Sequence, residues 1–229
     1  MGTRKQYQEI ITTLESLANQ ENVAGMSRFG INTKNTLGIS VYNLRKMAKD
    51  FKRDHALALR LWDSGIHEAR ILASFVEEPA KVTEEQLESW VLDFDSWDTV
   101  DQVSDLIWRT PFAVRKIHEW SKRKEEYVKR TAFSLIAELS CHARDMKDAD
   151  FEQFFPIIKD AATDERNFVK KAVNWALRNI GKLSKYLNAK AILVAEELKT
   201  IDSKSARWIA ADVLRELKSD AVRQRISMK

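Results

Sequence analysis

The residues best suited to chemistry lie in one run, Asp95-Ser96-Trp97-Asp98-Thr99-Val100-Asp101-Gln102. Asp95 or Ser96 is a good N-cap, so Trp97 should open a helix. Trp97 and Asp101 would then sit one turn apart on a shared face. A carboxylate beside an exposed indole suits a cationic group, because the ring face attracts the cation and the carboxylate balances it. The run also reads as a capped helix with acids favourably placed in its first turn, and spacing alone favours that plainer reading. Other chemistries have weaker support. His55, His67, His118 and His142 are scattered, with no HExxH or paired Cys/His spacing. Cys141 adjoins His142, but adjacency in sequence makes no dyad. No Walker loop, GxGxxG or GxSxG occurs.

Elements that position such a run must be helical. Only six Gly and three Pro occur in 229 residues, which favours helices over a turn-rich β fold. Tyr7, Ile10, Ile11, Leu14 and Leu17 form a helical stripe, as do Val41, Leu44, Met47 and Ala48, then Ala56, Leu59, Leu61 and Trp62. Thr83 is placed to cap a helix carrying Leu87, Trp90 and Val91. Pro79, Pro111 and Pro156 fall between stripes or in a first turn. Gln20 to Leu37, with Gly25, Gly30 and several Asn, is the expected irregular segment. No Gly/Ser linker divides the chain, so residues 1–229 read as one domain: N-terminal helices and an irregular segment over 1–40, stacked helical repeats over 41–229.

The repeat is visible in four helix openings: His67 to Val76, Tyr127 to Ile136, Phe168 to Leu177 and Ser205 to Leu214. Each has basic residues, then a small alanine, then an apolar run. Ala132, Ala172 and Ala210 are 40 and 38 residues apart, with another helical stripe in each interval (Phe151 to Ile158, Ala189 to Leu198). Two helices per such interval is the period of HEAT or armadillo arrays. The expected fold is therefore all-α, a right-handed helical-hairpin (HEAT-like or armadillo-type) repeat solenoid with a concave basic face. Arg70, Lys129, Arg130, Lys170, Lys171 and Arg207 recur at equivalent points and would line one surface, suited to a phosphate backbone. They also read as solvated helix starts or as partners for acids of the next repeat. Cations are disfavoured near a helix N-terminus, which argues for a separate role. Trp62, Trp90, Trp108, Trp120 and Trp208 lie on stripes and are expected in the core.

Composition sets outer bounds. The net charge is +4 with 31% charged residues, compatible with nucleic acid without requiring it. No apolar run is long enough to span a membrane. Met1 to Asn19 lacks the apolar core of a signal peptide. A single cysteine excludes an internal disulfide and fits a reducing cytoplasm.

With these residues in view, the chain resembles the AlkD-type DNA glycosylases, HEAT-like repeat enzymes of alkylation repair. The carriers are Ser96-Trp97-Asp98-Thr99-Val100-Asp101, Val128-Lys129-Arg130-Thr131-Ala132, and Phe168 to Arg178 with its Lys-Ala-x-x-Trp-x-Leu-Arg element. Leu37-Gly38-Ile39 looks like that family's segment before its third helix. The resemblance implies duplex DNA with purines alkylated at N3 or N7 as substrate, and no metal or organic cofactor. It implies Asp101 as the carboxylate that stabilises the oxocarbenium-like sugar and positions water. Trp97 and Trp175 would flank the deoxyribose, and Arg130 would grip a phosphate. Arg178 falls in the matching element and joins the basic residues expected at DNA. Phe29 stands where the family has a tyrosine, Gly30 and Asn32 weaken helix beside it, and Asn174 stands where glycine is common. A non-catalytic protein binding damaged or branched DNA, and a protein-interaction scaffold, are the alternatives. A monomer is the default for such an architecture.

Overall fold

The computed structural model describes residues 2–51 and 53–228. Among these residues every regular element is helical, and contacts divide the chain into two compact units, Met1–Phe112 and Ala113–Lys229.

The first unit holds α1 (Thr3–Ser16), α2 (Gln20–Arg28), α3 (Val41–Ala48), α4 (His55–Asp63), α5 (His67–Val76), a 3-10 turn (Pro79–Lys81), α6 (Glu84–Leu92) and α7 (Trp97–Ile107). Its centre is α5, which packs on α3, α4 and α7 and buries Ala69, Ile71, Leu72, Ala73 and Val76. Trp62 of α4 stacks on Trp90 of α6 with ring centres 4.0 Å apart, and the Trp62 indole N–H donates to Asp93 Oδ2 at 2.8 Å. Buried Trp needs such a partner for its N–H. In α4 the buried set is Leu57, Ala58, Leu61 and Trp62. The stripe expected on Ala56 and Leu59 is thus displaced, because α4 packs on two sides, against α1 and α5. Thr83 caps α6 as expected, its Oγ1 accepting the Gln86 N–H at 3.2 Å.

The segment expected to be irregular from Gln20 contains α2 instead. Asn19 caps it, its side chain accepting the Asn22 N–H at 3.0 Å, and Glu21 lies in the first turn. These end interactions outweigh the cost of Gly25 in the helix interior. The helix stops at Arg28, near Gly30 with its φ of 77°, and the irregular segment runs over residues 29–40, past its expected end at Leu37.

The second unit holds α8 (Ala113–Trp120), α9 (Glu126–His142), α10 (Asp148–Glu152), α11 (Phe154–Ala161), α12 (Asn167–Ile180), α13 (Lys185–Thr200), α14 (Lys204–Leu217) and α15 (Asp220–Ser227). Helix α12 lies between α9 and α14. The repeated alanines sit in these contacts: Ala132 and Ala210 are fully buried and Ala172 is 1% exposed. A small side chain there lets helices approach closely. Gly181 serves the same end, since a Cβ on it would lie 2.3 Å from Leu217 Cδ1. Trp120 is buried, Trp108 of the first unit is half-buried, and Trp208, expected in the core, is exposed at the start of α14. Its stripe position faces solvent because α14 buries Ala206, Ile209, Ala210 and Val213 instead.

Candidate functional site

In the first unit, the irregular chain 29–40 is tied to the starts of α5 and α7 by side-chain hydrogen bonds. Trp97 opens α7, as its spacing predicts, and its indole N–H donates to the Phe29 carbonyl at 3.0 Å. Trp97 and Asp101, one turn later, are both half-buried. Phe29 is 72% exposed at the end of α2. Ser96 occupies the N-cap position in extended conformation but does not cap with its side chain. Its Oγ accepts the Asn32 N–H at 2.9 Å, while the Asn32 Nδ2 donates to Asp95 Oδ2 at 2.7 Å. Both groups expected to cap α7 thus anchor Asn32.

Below this lies a buried polar cluster that spacing does not reveal. Glu68 is fully buried and accepts the N–H groups of Leu37, Gly38 and Ile39 at 2.8, 2.7 and 3.2 Å. A buried carboxylate is tolerated where several donors replace its water. Gly38 has φ 82°, and a Cβ there would lie 2.2 Å from the Asn19 carbonyl, so only glycine fits. His67, 5% exposed, pairs through Nε2 with Asp98 Oδ2 at 2.9 Å, and its Nδ1 lies 3.4 Å from Thr99 Oγ1. Burial works against the charged imidazole. The hydrogen bond to Asp98 and the charges of Asp98, Glu68 and Asp95 outweigh it, so the His67 pKa is raised above 6.5. Sequence reasoning set the histidines aside and missed Glu68 and Asp98 as structural acids. No local signal in the sequence marks them as such. A cavity of about 760 Å³ opens beside this cluster, lined among others by Met26, Phe29, Ile39, His67 and Trp97.

The basic residues nominated from sequence mostly meet acids. Arg70 pairs with Asp93 at 3.3 Å, donates to the Asp93 carbonyl at 3.1 Å and lies over the Trp62 ring. In the second unit, Lys129 pairs with Asp164 at 3.0 Å. Arg178 reaches Asp212 at 3.3 Å and Glu216 at 2.9 Å, and Arg207 reaches Asp202 at 2.9 Å. Arg130 is 5% exposed and donates to the Phe168 carbonyl at 2.7 Å. Lys170 lies over the Trp208 ring, and Lys171 is exposed. Burial raises the Asp164 carboxyl, but hydrogen bonds from Arg166 and Lys129 reverse that and hold it at about 2. Trp175 is half-buried on α12. Its neighbour Asn174 is buried and turned toward α14, donating to Asp212 Oδ2 at 2.7 Å. The nominated residues therefore fall into two groups: Arg70, Trp97 and Asp101 in the first unit, the rest in the second.

Comparison with known proteins places this arrangement. A solved structure described as "a new family of proteins related to the HEAT-like repeat DNA glycosylases with affinity for branched DNA structures" is 17% identical. It matches with a TM-score of 0.76 over 92% of this chain and 94% of its own. The fold is accordingly the all-α, HEAT-like repeat fold expected from the alanine period. "Uncharacterized protein Lin0241" of Listeria innocua serovar 6a is 21% identical over 197 residues, 84% of this chain and 86% of that protein. Among the described residues no helix is long and apolar enough to cross a membrane. The model of a family described as DNA alkylation repair enzyme matches residues 10–207, so the chain belongs to that family.

Proposed function

We propose that the protein is a monofunctional DNA glycosylase that releases N3- and N7-alkylated purines from duplex DNA. The observation that carries this reading is the Trp97–Asp101 pair, one turn apart at the start of α7, in a DNA alkylation repair family member. Alkylation at N3 or N7 makes the base cationic and weakens its bond to C1′. The C1′–N bond breaks with its electrons leaving on the base. The sugar becomes oxocarbenium-like, a water oxygen bonds to C1′, and the water gives up a proton. The base is already activated, so the main demand on the protein is negative charge near the developing cation. Asp101 supplies it and orients the water, while Trp97 offers a π face to the cation. The bond from Trp97 to the Phe29 carbonyl fixes that indole.

The test is release of 7-methylguanine and 3-methyladenine from methylated duplex DNA. The expected result is release by the wild type and a loss of about 100-fold or more in Asp101→Asn, with DNA affinity kept. Full activity in Asp101→Asn would remove the carboxylate from its assigned role. A second reading is a protein that binds damaged or branched DNA without base release. The branched-DNA affinity described for the protein of similar fold favours it. Intact DNA binding with no release by the wild type would establish that reading instead.

A further inference from the structure

Helices α12 and α14 are neighbours, and their first five residues carry Lys170 and Lys171, and Lys204 and Arg207. On α14, Trp208 follows Arg207 directly and lies one turn after Lys204. It is 42% exposed, whereas Trp62, Trp90 and Trp120 are 2%, 3% and 1% exposed. The Lys170 ammonium lies 5.2 Å from the centre of its ring. Two acids accompany the four cations. Glu165 accepts the Ser205 N–H at 3.1 Å and the Ser203 hydroxyl at 2.9 Å, and Asp202 pairs with Arg207. The charges of Lys170 and Lys204 also reach Glu165 and add to those hydrogen bonds in lowering its pKa. The patch therefore keeps a net positive charge.

An exposed indole forfeits the burial that makes tryptophan stabilising, and one cation contact offsets only a part of that. A flat apolar face set among cations matches a nucleobase with phosphates on either side. A paired base inside a duplex shows only its edges in the grooves. The indole can therefore stack only on a base whose face is open. We propose that Trp208, with Lys170 beside it, is a stacking site for an unpaired DNA base, and that Lys171, Lys204 and Arg207 hold the adjoining phosphates. This rests on the DNA-binding part of the function proposed above and adds a substrate feature to it: single-stranded nucleotides next to duplex.

The experiment uses the full chain and two DNAs at fixed salt. One is a blunt duplex. The other is the same duplex with a short single-stranded extension carrying 2-aminopurine, whose fluorescence falls on stacking. The wild type should prefer the extended DNA and quench the probe. Trp208→Ala should lose about 5- to 150-fold in affinity for the extended DNA, lose the quenching, and bind the blunt duplex within about twofold of wild type. Trp208→Phe should recover part of both. Trp208 is exposed, so the variants should melt like the wild type by circular dichroism. Equal losses on both DNAs would overturn the proposal, as would no loss on either. Wild type that binds blunt duplex without preferring the extension, a protein-docking role for the patch being one reason, overturns this proposal alone. Wild type that binds neither DNA overturns the DNA-binding reading with it.

Discussion

The two units solve the same problem, satisfying polar and charged groups between packed elements, in opposite ways. In the second unit the solution is periodic. Arg130 bonds Phe168, Asn174 bonds Asp212, and Arg178 pairs with Glu216, each 38 residues on, or one repeat. In the first unit no such period exists. Buried Glu68 holds an irregular chain that places Phe29 and Asn32 against the start of α7, and the His67–Asp98 pair joins the two helix starts to which that chain is tied. The periodic unit spends its charges on locking one helix to the next. The irregular unit spends its buried acids on positioning a loop. Family function is therefore expected to be more sensitive to Glu68 and His67, which touch no substrate, than to most of the exposed cations.

The largest expected effect tests that difference directly. Glu68→Ala leaves three N–H groups, of Leu37, Gly38 and Ile39, without their acceptor. An unsatisfied buried donor costs about 1–3 kcal/mol, so a loss of roughly 3–9 kcal/mol is expected in urea unfolding. Hydrogen exchange at Leu37 to Ile39 should accelerate in parallel. A loss under about 1 kcal/mol would mean that the loop holds itself and the contrast between the units is false.

His67 comes next, and here pH gives the sign. Its folded pKa is raised above 6.5, so the protonated ring binds its proton more tightly in the folded state. That stability is fully present below 6.5 and is lost as pH rises through the raised folded value. His67→Gln should therefore cost most stability below pH 6.5, and progressively less as pH rises through the raised folded value. A gap that stays constant with pH would show that His67 is neutral throughout and acts only as a hydrogen-bond donor.

Much of the second unit was legible in sequence, and the reason is physical. A repeat places the same residue at the same helix contact, so Ala132, Ala172 and Ala210 mark three close approaches by spacing alone. Trp97 as a helix start was legible for a similar local reason, a capping residue before an apolar stripe. The cluster in the first unit was not. Glu68 and the three N–H groups it accepts are separated by 29 to 31 residues, and nothing local distinguishes that acid from a solvated one. Ser96 misled for the same reason, since its hydroxyl answers to Asn32 rather than to its own helix. Helix α2 was hidden by Gly25, whose cost is small beside the Asn19 cap. Trp208 looked like core because a stripe shows that positions share a face, not which face is covered.

A smaller effect sharpens the periodic side. Asp164 is held at about 2, below its ordinary 3.8, so its contribution is present above 3.8 and is lost as pH falls through about 2. Lys129→Ala removes one of its donors and leaves Arg166. The Asp164 carboxyl titration, followed by NMR, should move up from about 2 but stay below 3.8. No movement would mean that Arg166 alone holds the acid, and that Lys129 is available for another partner.

The smallest effect separates cations that lock repeats from cations that meet DNA. Lys171 is exposed and, among the described residues, has no carboxylate partner, whereas Lys129 is held 3.0 Å from Asp164. Each phosphate neutralised contributes about 0.9 to the slope of log affinity against log salt. If Lys171 meets a phosphate, Lys171→Ala should leave the melting temperature unchanged and reduce that slope by about 0.9 on duplex DNA with a single-stranded extension. Lys129→Ala should leave the slope unchanged and lower the melting temperature slightly, because an ion already paired within the fold releases no counterion from DNA. Equal slope changes in the two variants would show that the Asp164 pair opens on binding. The charges of the second unit would then serve both purposes, and their period would describe the DNA surface as well as the packing of helices.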